Sequence, residues 1–113
     1  MDQMLIERPV PEATGSIYAD VFRVLVATSD LSRRTVPPGT QGALSAAIDA
    51  LRRERAPAEI RRCVEAMAVA VHRLHWALLN PSPESAIEAA ACREEIANLR
   101  AEWLETTAPK YEA

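Results

Sequence analysis

Apolar residues recur at helical spacing along most of this chain. The clearest run is Ile60, Val64, Met67, Val71, Leu74 and Leu78. Their steps of four and three residues form a heptad seam over nearly three repeats, which predicts a helix over about 57–80. Pro57 suits its first turn, and Pro81 in "NPSP" cannot continue its hydrogen-bond ladder. Ser82 then reads as the cap of a further helix with Pro83 at its first position. That helix is predicted over about 83–106, where Ala89, Cys92, Ile96, Leu99 and Trp103 again step by three and four. A turn this short makes the two helices antiparallel neighbours, a long helical hairpin.

Two shorter elements precede it. Leu44, Ala47, Ile48 and Leu51 mark one stripe of a helix over about 41–55. Ile17, Val21, Val24, Leu25 and Thr28 mark another helix, starting near Thr14 or Ser16, although its β-branched residues leave a strand open. Pro37, Pro38 and Gly39 punctuate the loop over 33–42. The reading is an all-α protein, a small bundle of about four helices built on the hairpin. Its parts are a flexible or extended arm over 1–13, a single helical domain over 14–107 and a frayed tail over 108–113.

Composition thins the expected core. The apolar fraction is 49%, but 21 of those residues are alanine and aromatics are 4%, so little area is buried per residue. The net charge of −3 argues against general affinity for nucleic acid or anionic membrane. The charge is uneven: −3 over residues 1–32, +4 over 33–73 and −4 over 74–113. No run of 18 apolar residues predicts a membrane span, and the opening segment lacks the pattern of a secretory signal, so a cytoplasmic location is expected. Cys63 and Cys92 have no metal-type or redox-type spacing and read as free thiols. Folding the hairpin about residue 82 sets them too far apart to bridge.

"VAVHRLHWALL" (69–79) holds both histidines of the chain. His72 and His75 are spaced i, i+3, and the hairpin brings Glu88 near the level of His75, so the three form a weak candidate metal set. His75 lies at the edge of the seam and His72 on its flank, which suits structural histidines better. Trp76 is the residue the seam leaves unexplained. It lies about 140° from the seam, beside Val69 and between Arg62 and Arg73, with Leu79 widening the apolar flank. Either the two shorter helices cover Trp76, or Val69, Trp76, Arg62, Arg73 and Leu79 form an exposed patch for a partner. Arg52, Arg53, Arg55 and Arg61, with Arg62, make a possible basic patch at a helix–turn–helix corner, although Glu54, Glu59 and Glu65 interleave with them.

No glycine-rich phosphate loop, nucleophile elbow or Ser/His/Asp set is present, and no cofactor is expected. The function these features favour is a small non-enzymatic helical interaction protein: an adaptor, inhibitor or assembly factor that binds a partner protein, a second copy of itself (a homodimer), or both. The alternatives are a nucleic-acid-associated regulator using the arginines of 52–62, and a metal-binding helical protein centred on His72 and His75.

Overall fold

The computed structural model describes residues 9–29 and 36–112, with side chains over 17–29 and 36–107. Four helices account for almost all of it: α1 Pro9–Ser29, α2 Thr40–Arg53, α3 Ala58–Leu79 and α4 Pro83–Glu112. They pack as a small all-α bundle about 64 Å long and 23 × 21 Å across. Among the described residues no helix is long and apolar enough to cross a membrane.

Local chemistry sets the boundaries. Ser82 and Ser85 form a reciprocal cap at the start of α4. The Ser85 N–H donates to Ser82 Oγ at 3.0 Å, and the Ser82 N–H donates to Ser85 Oγ at 2.7 Å. This is a capping box in which serine replaces the usual glutamate. Asn80 Nδ2 donates to the Trp76 carbonyl at 3.1 Å and closes the end of α3. Gly39 enters α2 at φ 88°, a left-handed conformation open to glycine without a Cβ penalty.

The corner between α2 and α3 is a Schellman-type ending. The Ala56 N–H donates to the Leu51 carbonyl at 2.9 Å and the Arg55 N–H to the Arg52 carbonyl at 3.0 Å. Arg55 occupies the left-handed position at φ 57°, where glycine is the usual residue. The spacing of apolar residues carries no sign of this conformation. Buried Ala56 packs under it.

Two boundaries differ from the sequence expectation. Helix α1 begins at Pro9, so residues 9–13 are helical rather than part of an arm. Prolines at the first and third helical positions forfeit only N–H groups that have no partner in a first turn. The remainder of the expected arm, residues 1–8, lies outside the described residues. Helix α4 continues to Glu112, so 108–112 are helical where a frayed tail is expected. Helix α1 is a helix and not a strand, because Tyr18, Val21, Leu25 and Thr28 share one buried face at steps of three and four.

The seam residues Ile60, Val64, Met67, Val71 and Leu74 are buried, and Leu78 packs against the core. The buried strip of α3 is wider than that seam on the side facing α4. Cys63 and Ala70 are buried, and Ala66 and Ala77 are partly so. Cys63 Sγ donates to the Leu99 carbonyl at 3.3 Å, so this line of small residues lets the α4 backbone come close. Ala70→Leu is therefore expected to destabilise the fold by about 1–3 kcal/mol, because the longer side chain has no room between the helices. Chemical denaturation followed by circular dichroism measures it; a neutral result would mean that α3 and α4 are not in close contact.

The two shorter helices cover different parts of the hairpin. Helix α2 lies along the first half of α3: Arg52 pairs with Glu65 at 3.4 Å, and Gln41 Nε2 donates to the Ala68 carbonyl at 3.4 Å. Helix α1 lies along the later part of α4. The Tyr18 ring meets Trp103 edge-on at 5.7 Å, and Arg100 Nη1 donates to Ser29 Oγ at 3.2 Å.

Candidate functional site

The first turn of α2 sits at the level of Ala68. Trp76 lies about two helical turns further along α3. Helix α1 is anchored near the other end of the hairpin, on Trp103. Neither helix covers Trp76, which is 54% exposed. Val69 at 58% and Leu79 at 51% are exposed with it. So of the two environments open to Trp76 from the sequence, the bundle gives the exposed one. The reason is that α2 reaches back only to the level of Ala68 while α1 docks on the far half of α4, a placement that no periodicity within α3 could reveal.

Trp76 sits in an aromatic cluster. The His72 ring is 6.3 Å from it and the His75 ring 5.9 Å, both edge-on. His72 is exposed and His75 half-buried. The two imidazoles meet the indole edge-on, and about half of the Trp76 side chain remains exposed.

Glu88 does not join the histidines. Arg73 Nε and Nη2 both donate to Glu88 Oε2 at 2.8 Å, and Arg73 Nη1 lies 3.8 Å from Glu95. Arg73 thus bridges the hairpin, and its guanidinium pKa is raised, first by the Glu88 hydrogen bond. Among the described residues no group of three histidine, cysteine, aspartate or glutamate side chains is placed to hold a metal ion. The level of Glu88 is readable from the hairpin register. Its side of the helix is set by the angle between α3 and α4, which requires the packed structure.

The basic patch divides. Arg52 pairs with Asp49 at 3.8 Å and with Glu65. Arg61 Nε donates to the Ala56 carbonyl at 3.3 Å, which buttresses the corner. Arg53, Arg55 and Arg62 are exposed and take no part in these pairs. Of these, Arg62 lies almost in line with Val69 and Trp76, at seven-residue intervals on the outer face of α3.

The outer face of α4 is a feature the sequence reading missed. Ile87 is 73% exposed, and exposed Ala90 and Ala91 extend the surface around it. Exposed Glu94 and Glu105 share that face. Ile87 is half a turn away from the stripe Ala89–Ile96–Trp103, a signal that was present in the spacing. Leu104 is a further exposed apolar residue at 48%.

Cys63 and Cys92 are free and buried. Burial pushes the Cys63 thiol up to about 11, with a further push from Glu102. Burial also raises Cys92, opposed by Arg73 and reinforced by Glu88 and Glu95. Neither thiol is activated, since nucleophilic cysteines have depressed values.

Comparison with protein-family models, with curated proteins and with solved structures gives no match.

Proposed function

We propose that this chain is a non-enzymatic protein-interaction module that engages a partner through the outer face of its helical hairpin. The exposure of Trp76 together with Val69 and Leu79 carries the reading. Three large apolar side chains at i, i+7 and i+10 make a ridge along a helix already held rigid by its opposite face. Such a ridge is costly to leave in water and fits an apolar partner surface. Arg62 extends it at one end, and tryptophan and arginine are the side chains that most often dominate binding energy. The roles of adaptor, inhibitor and assembly factor share this mode of action.

The test separates folding from binding. Trp76→Glu removes the anchor from a half-exposed position, so the unfolding free energy, measured at a dilution where both chains are monomeric, should change by no more than about 1 kcal/mol. A photo-crosslinking residue in place of Val69 should form covalent adducts with protein in the host cell, and Trp76→Glu should abolish them. Adducts that persist in the Trp76→Glu chain, or none in the parent, would overturn the proposal.

A further inference from the structure

We infer that the hairpin's outer face is occupied by a second copy of this chain, in a two-fold dimer whose axis runs parallel to the hairpin. This rests on reading that face as an interaction surface, and it names the occupant.

The register of the hairpin is given by two contacts, Cys63 with Leu99 and Arg73 with Glu88. Trp76 therefore stands level with about residue 86, and Arg62 level with about residue 100. The face presents two unlike halves. On α3 it carries Arg62, Val69 and Trp76; on α4 it carries Ile87, Glu94 and Glu105. On α3 the apolar Val69 and Trp76 lie toward the hairpin turn and Arg62 away from it; on α4 Ile87 lies toward the turn, while Glu94 and Glu105 stand about 7–9 Å to either side of the level of Arg62. The charges are opposite: cationic on α3, anionic on α4.

A two-fold axis along the hairpin lays α3 of each copy over α4 of the other at the same level. Trp76 of one copy then covers Ile87 and the flat surface at Ala90 and Ala91 of the other, where small side chains admit a large one. Arg62 of one copy lies between the levels of Glu94 and Glu105 of the other α4, within reach of both long carboxylate side chains, and Val69 stands near the level of Glu94. Each contact occurs twice, so the face is complementary to itself in shape and in charge. Arg73 is already engaged by Glu88 and Glu95 in its own chain and adds no unmet charge. Two adjacent helices over the length of α3 present about 600–700 Å² per copy, or about 1,200–1,400 Å² in total, within the range of stable interfaces.

Sedimentation velocity of the purified 12.4 kDa chain should show a species of twice that mass that dissociates on dilution. Trp76→Glu should give monomer with unchanged helicity by circular dichroism. Arg62→Glu alone, and the double change Glu94→Arg with Glu105→Arg alone, should each weaken dimerisation about tenfold or more through two repulsive contacts. Mixing these two chains should restore dimer to near parental affinity. In the heterodimer the introduced glutamate faces the introduced arginines at one contact, and the original pairing is kept at the other. A monomeric parent at about 100 μM would overturn the inference, as would a Trp76→Glu chain that still dimerises or a mixture that does not recover. A monomer whose Val69 crosslinks capture a different protein would end the dimer and leave the interaction reading standing; a monomer with no crosslinks would end both.

Discussion

Trp103→Ala is expected to cost about 3–5 kcal/mol, enough to leave the domain marginal or unfolded at room temperature. Trp103 is the largest fully buried side chain and joins α4 to α1 through the edge-on contact with Tyr18. In a core rich in alanine, few neighbours can move into the space it would leave. Trp103→Phe separates two contributions. The indole Nε1 is buried with no hydrogen-bond partner, a state that costs about 1–3 kcal/mol. Phenylalanine keeps a ring against Tyr18 and removes that orphan donor. Its net loss should therefore stay under about 1.5 kcal/mol, well below that of alanine. Urea denaturation followed by far-ultraviolet circular dichroism gives both values. A loss below about 1 kcal/mol for Trp103→Ala would show that α1 is not held by this contact.

The second large effect is alkaline. The Cys63 thiol rises from its ordinary value of 9.0 to about 11 in the folded chain, because ionising it would place a charge between α3 and α4. In the unfolded chain the thiol loses its proton first, near pH 9, so the unfolded state gains stability from there upward. The contribution of Cys63 is thus fully present below about pH 9 and is lost progressively as the pH climbs toward 11. This rise corresponds to at most about 2–3 kcal/mol. The Cys63 Sγ–Leu99 bond acts in the same direction, since only the protonated thiol can donate to a carbonyl. Unfolding free energies at about pH 8 and about pH 10.5 should therefore differ more for the parent than for Cys63→Ala. Equal slopes for the two chains would show that the thiol ionises freely in the folded state.

These predictions rest on features that differ in how visible they are along the chain. The hairpin was legible because a helix that buries one stripe must repeat apolar residues every three or four positions. Proline cannot continue that helix, and Ser82 satisfies the first free amides of the next. The burial of Val64, Met67, Val71 and Ile96 follows from the same periodicity. What periodicity describes is a direction on one helix. It does not say on which part of the hairpin another helix docks or at what angle it lies.

Those two quantities decided the site. Residue order alone was enough to show that Trp76 and Val69 point away from the seam, that His72 and His75 lie at its flank and edge, and that Glu88 stands near their level. Packing was needed to leave Trp76 uncovered, because α2 begins at the level of Ala68 and α1 rests on the far half of α4. Packing also placed Glu88 on Arg73 instead of the histidines, and Arg55 in a left-handed corner. The outer face of α4 with Ile87 gains its meaning only beside that of α3. The difference is one of range. Helical repeat and capping act within a few residues and are written in local order, whereas cover, charge pairing and surface continuity depend on residues distant in sequence that packing brings together.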